Sequence, residues 1–207
     1  MVEIVGDVMR VSLRRLVDLS YPITFGTGLF PQIAEYLRSS QVGSRYAIIT
    51  DSNVGPIYAG SLENALRQEG LDVNTFTFKF GERNKTMRTS EKLVNQLSRG
   101  DYGRDSAILA LGGGVVGDIA GFVAAIFARN IPYIQIPTTT IAQFDSSVGG
   151  KTALDTSFAK NAVGAFYPPN AVFIDSATLQ TLGNREYTSG LAEMVKYTFH
   201  WMIALFQ

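Results

Sequence analysis

Three consecutive glycines, Gly112–Gly114, close the apolar run SAILAL and lead into VVGDIAGFVAAIFARN. A short apolar run of this kind reads as a buried strand, and the stretch DIAGFVAAIFARN (118–130) has helical periodicity, so the backbone must turn sharply between the two. Gly112, Gly114 and Gly117 satisfy G-x-G-x-x-G at the place where backbone N–H groups and a helix dipole can hold a pyrophosphate. The same glycines also suit a plain tight turn that lets strand and helix pack closely, and the pattern alone leaves both readings open. The usual dinucleotide fingerprint adds an acid about 20 residues on, at the tip of the next strand. Here that tip is IPTTT, which offers hydroxyls instead. An acid does end an earlier strand, Asp51 in IITDSN, with Asn53 beside it. It reads either as a ribose ligand, placing the adenosine half against an earlier strand than usual, or as a helix N-cap or Asx turn.

The rest of the chain repeats the strand–helix alternation. RYAIIT, VNTFTFKF, SAILAL, IPYIQIP and NAVFID read as strands. GPIYAGSLENALRQEG reads as a helix, and TSEKLVNQLSRG as one capped by Thr89 or Ser90 and closed by Gly100. Strands separated by helices require right-handed crossovers and a largely parallel sheet covered on both faces, an α/β fold. From Asn184 onward only helical periodicity remains, and the chain stops on an apolar run, Trp201–Phe206. The expected organisation is an α/β nucleotide-binding domain over 1–183 and, over 184–207, the first helix of an incomplete second domain.

Composition narrows the partners. With 18 basic and 18 acidic side chains the formal net charge is zero, which argues against a general nucleic-acid surface. The absence of cysteine rules out disulfides and cysteine-ligated zinc and suits a reducing compartment, so a cytoplasmic location is expected. The start, MVEIVGDVMR, does not read as a signal peptide. The longest apolar stretch, 108–128, is interrupted by glycines and Asp118, so no membrane span is expected.

The segment IQIPTTTIAQFDSSVGGKTALDTSFAKNAVGAFYPPNAVFIDSATLQTLGNREYTSGLAEMVKY, with GGGVVGD before it, resembles the 3-dehydroquinate synthases nearly motif by motif. The likeness begins at SYPITFGTGLF and covers almost the whole chain. It implies a Rossmann-like parallel-sheet NAD-binding domain followed by an all-helical metal-binding domain. The implied reaction converts 3-deoxy-D-arabino-heptulosonate 7-phosphate to 3-dehydroquinate and phosphate in the shikimate pathway, with catalytic NAD and a divalent metal, zinc or cobalt. Sugar-phosphate cyclases with other products and a non-catalytic NAD-binding fragment stand as alternatives.

The resemblance implies NAD contacts at Asp51, Asn53, Glu82, Lys85, Gly113, Gly114, Val115, Gly117, Asp118, Thr138, Thr139, Lys151, Lys160, Thr178, Leu179 and Thr181. Around an anionic sugar-acid phosphate it implies Asp145, Lys151, Lys160, Asn161 and Lys196, and at Arg129 a residue that reaches a neighbouring subunit's site, hence a homodimer. Each has a structural alternative: GERNK as a charged turn, TTT as a strand end whose hydroxyls satisfy their own backbone, the lysines as solvated surface. Glu193 and Lys196 lie one helical turn apart, which alone reads as a surface ion pair. The resemblance makes Glu193 a metal ligand, completed in the family by two histidines that this chain lacks. The one histidine, His200, would lie about 10 Å from Glu193 along a helix, too far to share an ion with it, and reads as structural. Asn130 stands where the family usually has glycine, and Lys79 and Phe80 precede Gly81 in place of the family's common proline or aspartate.

Overall fold

A computed structural model describes residues 2–5, 8–11 and 18–205, with side chains described for 18–195. Strands β1 (Val2–Val5) and β2 (Val8–Val11) form an antiparallel hairpin. In chain order there follow β3 (Ile23–Gly26), α1 (Phe30–Ser40), β4 (Arg45–Asp51), α2 (Gly55–Gln68), β5 (Asp72–Phe78), α3 (Met87–Arg99), β6 (Ser106–Gly112), α4 (Gly114–Ile126), β7 (Tyr133–Pro137), β8 (Lys151–Leu154), β9 (Val163–Phe166), β10 (Ala171–Asp175) and α5 (Asn184–Leu205). Six of these strands make one sheet in the order β3-β10-β7-β6-β4-β5, with every pair parallel. The expected α/β class and parallel sheet are what the chain adopts.

Alternation along the central strands divides the core into two layers, because successive side chains leave a strand on opposite faces. Tyr46, Ile48, Ala107, Leu109, Leu111, Ile134 and Ile136 pack under α1 and α2. Ala47, Ile49, Ile108, Ala110 and Tyr133 pack under α3 and α4. Since both faces are covered, β4, β6 and β7 read in the sequence as near-continuous apolar runs. Helices α1, α2 and α3 bury single stripes, such as Leu62 and Leu66 or Leu93 and Leu97. By contrast α4 buries Val116, Ile119, Ala120, Phe122, Val123 and Ala124 on nearly all sides, because it is packed between the sheet, α3 and β8.

Several element boundaries differ from expectation. Helix α4 begins at Gly114, four residues earlier than the periodicity indicated, and ends at Ile126, followed by a kinked turn over Phe127–Arg129 in which Ala128 leaves helical geometry. Glycine in a helix costs about 1 kcal/mol relative to alanine, and burial of Val116 and Gly117 in the first turn offsets that. The cap of α3 is Thr86, whose Oγ1 accepts from Thr89 N at 3.3 Å, so Thr89 and Ser90 lie inside the helix. β7 starts at Tyr133, two residues later than the expected strand. β3, α1, the antiparallel β8–β9 hairpin and a π-helical turn over Ala142–Ser146 add to the elements that the sequence pattern indicates. The apolar run Trp201–Phe206 lies outside the residues whose side chains are described. Among the described residues no helix is long and apolar enough to cross a membrane.

The strand order sets up the site. From β4 the chain passes through α2 outward to β5, and from β6 it passes through α4 in the opposite direction to β7. α2 and α4 therefore lie on opposite faces, and the carboxyl ends of the neighbouring strands β4 and β6 flank a crevice. Open parallel sheets bind ligands at such a point of divergence.

Candidate functional site

The crevice is a cleft of about 710 Å³ lined by residues from the loops that follow β4, β5, β6, β7 and β10. Asp51 and Asn53 come from the β4 end, Gly81 and Glu82 from the β5 end, Gly113, Gly114 and Val115 from the β6 end, and Thr138 and Thr139 from the β7 end. Pro56, Ile57, Tyr58 and Phe80 form an apolar wall, while Thr181, Leu182, Gly183 and Glu186 close the far side. Glu186 was not anticipated, since an acid in the first turn of a helix carries no sequence signal beyond favourable placement on the dipole.

The glycines of the β6–α4 turn do different jobs. A Cβ on Gly112 would sit 2.5 Å from Val116 Cγ2, one on Gly113 2.9 Å from Thr139 Cγ2, and one on Gly114 3.0 Å from Ser146 Oγ. A Cβ on Gly117 would meet Gln135 Oε1 at 2.8 Å, so Gly117 faces the sheet and allows close helix–strand packing. The first intrahelical bond of α4 runs from Gly117 N to Gly113 O at 3.0 Å, and no side chain caps the helix. The amides of Gly114, Val115 and Val116 thus have no acceptor within the helix, and the positive end of its dipole opens on the cleft.

Geometry bears on two alternatives left open by the sequence. Asp51, buried, accepts from Asn53 N at 2.8 Å and Val54 N at 2.9 Å, both on Oδ1, so it is an Asx turn and lines the cleft as well. Thr139 Oγ1 accepts from Ala142 N at 3.3 Å, a hydroxyl engaged with nearby backbone. Thr138 differs: it is 3% exposed, lines the cleft, and its Oγ1 has no hydrogen-bond partner. A buried hydroxyl left unpaired costs about 1–3 kcal/mol, which a ligand polar group in the cleft would recover. Uncapped amides, a glycine cradle with no room for side chains and an unpaired hydroxyl fit a dinucleotide pyrophosphate.

A second cleft, of about 510 Å³, lies on the other side of the Gly114–Ser146 contact and is lined by Asp118, Asp145, Lys151 and Asn161 among others. Lys85 reaches this region from the β5–α3 loop. Its ammonium pairs with Asp118 Oδ2 at 2.5 Å and donates to Asn161 Oδ1 at 2.6 Å, with the Lys85 side chain 6% exposed. Burial pushes the Asp118 carboxyl above its ordinary range, partly offset by the hydrogen bond and charge of Lys85.

Other expected residues lie elsewhere. Thr178 is buried, donates to Asp175 O at 2.7 Å and accepts from Gln143 Nε2 at 3.1 Å; it faces a groove beside α1 and α2 rather than the main cleft. Tyr58 ties its turn to α2 through Thr178 O at 3.1 Å and Thr181 Oγ1 at 2.5 Å. Leu179 is half-buried and lines neither cleft, and Lys160 is exposed outside both. Arg129 is exposed in a turn where Ala128, Arg129 and Asn130 have φ of 49°, 69° and 89°, three successive non-glycine residues in a costly region. Glu193 is half-buried on α5, while the side chains of Lys196 and His200 lie outside the described residues. Among the described residues no three His, Cys, Asp or Glu side chains converge as a metal cage, so these residues do not by themselves fit a zinc or cobalt site.

Comparison with known proteins agrees with this geometry. The 3-dehydroquinate synthase N-terminal family profile matches residues 75–189. The 3-dehydroquinate synthase of Caldanaerobacter subterraneus subsp. tengcongensis is 48% identical over 191 residues, covering 92% of this chain and 54% of that protein. The chain therefore spans about half the length of the curated relatives it matches. Among solved structures, 2-deoxy-scyllo-inosose synthase complexed with carbaglucose-6-phosphate, NAD+ and Co2+ superposes with a TM-score of 0.78 at 31% identity, covering 84% of this chain and 47% of that one. The 2-epi-5-epi-valiolone synthase of Streptomyces hygroscopicus subsp. jinggangensis 5008, with NAD+ and Zn2+ bound, gives the same TM-score and identity over 90% of this chain and 51% of that one. With a family profile over more than half its length and a Rossmann-like sheet whose cleft is built from the glycine, Asp51 and Thr138 loops, the chain belongs to the 3-dehydroquinate synthase family.

Proposed function

We propose that this chain is the NAD-binding part of an enzyme that converts 3-deoxy-D-arabino-heptulosonate 7-phosphate to 3-dehydroquinate and phosphate. The observation that carries the NAD reading is the buried, unpartnered Thr138 hydroxyl in the same cleft as the uncapped start of α4. The relatives' names support the reaction. NAD supplies reversible hydride acceptance, so that a ring hydroxyl is taken to a ketone, the neighbouring C–H is acidified for phosphate elimination, and the ketone is then reduced.

In this reading the amides at the start of α4 and Thr138 hold the pyrophosphate, Asp51 and Asn53 take a ribose, and the wall of Ile57, Tyr58 and Phe80 borders the adenosine half. Asp145, Lys151 and Asn161 bind the anionic sugar acid in the second cleft that they line; the resemblance adds Lys160, Lys196 and, from a second copy in a homodimer, Arg129 as further contacts. Point-charge lysines and a bidentate guanidinium suit a ligand bearing both carboxylate and phosphate. Glu193 contributes one metal ligand and the remaining donors come from outside these residues. The α/β unit is assigned to 1–183, a helical unit starts at 184, and the setting is cytoplasmic.

The test is NAD titration of the chain by calorimetry and thermal unfolding. At a hundredfold excess over Kd a ligand bound only by the folded state adds about 2.7 kcal/mol. Thr138→Val keeps the shape and removes a hydroxyl that has no protein partner, so the fold should be unharmed while NAD affinity falls about tenfold. Unchanged affinity in that variant would overturn the assignment. The incomplete metal donor set favours one second reading, a module that binds NAD without turning over. Phosphate release from the heptulosonate substrate distinguishes it.

A further inference from the structure

Asp155, which lines neither cleft, sits at the centre of the contacts that join them. Its backbone N donates to Lys85 O at 2.8 Å, and its Oδ1 accepts from Asn161 N at 2.7 Å. Asn161 Oδ1 in turn accepts from Lys85 Nζ at 2.6 Å, which closes a ring of three hydrogen bonds through residues 85, 155 and 161. Lys85 lies three residues after Glu82, the last of the Phe80–Glu82 segment that lines the first cleft, while Asn161 lines the second.

Packing does not hold Asn161 in place. The loop before it is exposed, with Phe158 96% exposed, and is shaped by local bonds from Phe158 N and Ala159 N to Thr156 Oγ1. Asn161 itself has φ of 51°, a left-handed conformation that asparagine tolerates but does not prefer. Without an acceptor for its N–H the residue would relax toward ordinary φ, carrying its carboxamide away from Lys85.

We propose that Asp155 is a positioning residue that holds Asn161 left-handed and, through its carboxamide, fixes the Lys85 ammonium between the two clefts. This rests on the reading of those clefts as the nucleotide and substrate sites. The ring keeps the GERNK loop in register with the β8–β9 hairpin, so that the buried Lys85–Asp118 pair keeps a fixed place beside the second cleft, which Asp118 lines.

Asp155→Ala and Asp155→Asn are compared in the full protein that carries this chain, by amide hydrogen exchange at Asn161, calorimetric NAD affinity, and kcat and KM for the heptulosonate phosphate. Alanine should speed Asn161 exchange and lower kcat about tenfold, with a much smaller change in KM, whereas asparagine, which keeps the Oδ1 acceptor, should restore both. Asp155→Ser, too short to reach the amide, replaces the alanine variant if that does not fold. Unchanged exchange and kcat on truncation, or an asparagine variant as impaired as alanine, overturns the proposal. If the wild type neither binds NAD nor releases phosphate, the functional reading fails, and the Asn161 exchange contrast still decides the role of Asp155.

Discussion

Lys85→Met keeps the apolar stem of Lys85 and deletes its charge, leaving the Asp118 carboxylate without its cation in a site where the Lys85 side chain is 6% and the Asp118 side chain 16% exposed. Burial already raises the Asp118 carboxyl above its ordinary range, with Glu82 and Asp155 pushing the same way, and Lys85 is what offsets it. Breaking a buried pair by removing one partner costs about 3–5 kcal/mol. A carboxylate can limit that penalty by protonating: the ceiling is about 1.36 kcal/mol per pH unit above an unfolded pKa near 3.9, hence about 4 kcal/mol at pH 7 and about 1.5 kcal/mol at pH 5. The lost hydrogen bond to the exposed Asn161 adds up to about 1 kcal/mol with no pH dependence. Because the folded pKa lies above the unfolded one, the folded variant binds a proton that the unfolded chain releases, and stability falls as pH rises from about 4 toward the folded value. Urea unfolding should therefore show a loss against wild type that is larger at pH 7, up to about 4 kcal/mol, than at pH 5, up to about 2.5 kcal/mol. Adding Asp118→Leu should recover more than half of the loss at pH 7. A loss equal at both pH values, or below about 1 kcal/mol at pH 7, would mean that water already screens the pair and would refute this account.

Asn130 has φ of 89° and ψ of 134°, a region that suits glycine, so Asn130→Gly should stabilise the protein by about 1 kcal/mol, or a few degrees in Tm; a melt showing no gain would remove strain from the description of this turn. Gly190 lies in α5, where glycine to alanine ordinarily adds about 1 kcal/mol, yet a Cβ there would clash with Thr140 Cβ. Gly190→Ala should instead destabilise by about 1–3 kcal/mol and weaken NAD binding by tilting the Thr181–Glu186 wall; a stabilised variant with full affinity would show that α5 does not dock closely at Thr140.

The elements legible in the sequence are those covered on both faces. β4, β6 and β7 show as apolar runs because α1 and α2 lie on one side and α3 and α4 on the other. The β8–β9 hairpin was illegible: Val163 and Ala165 are half-buried and Gly164 and Phe166 exposed, and Gly164 is there because a Cβ would meet Thr152 O, which no periodicity records. The start of α4 is hidden in the sequence because GVVG has the composition of a turn and becomes helical only against its packing partner. In the site, Asp51, Glu82, Gly113, Gly114, Val115, Thr138 and Thr139 were named from the ordered resemblance, and the fold brings them to one cleft. Glu186 and Asp155 were missed for different reasons. Glu186 reaches the cleft only through the docking of α5, and Asp155 acts through a backbone amide six residues away, a pairing that leaves no composition signal.

The acid that seemed out of order follows from the same topology. A search that requires an acid about 20 residues after the glycines would pass over this chain, because Asp51 precedes them. What a ribose needs is an acid at the tip of the strand beside the glycine strand, on the side away from the next crossover. β4 is that neighbour, with Ile49 opposite Ala110 in the register, because the chain sent β5 outward before returning to lay β6 on the other edge of β4. The downstream spacing of the usual fingerprint is thus a consequence of one winding order, and a sheet wound with the acid strand first presents the same crevice to the same ligand. On that reasoning Asp51→Ala should weaken NAD binding although the acid stands on the wrong side of the glycines in the sequence. Asp51→Asn, which keeps the Oδ1 acceptor for Asn53 and Val54, should retain the turn and lose only the part of the affinity that depends on charge.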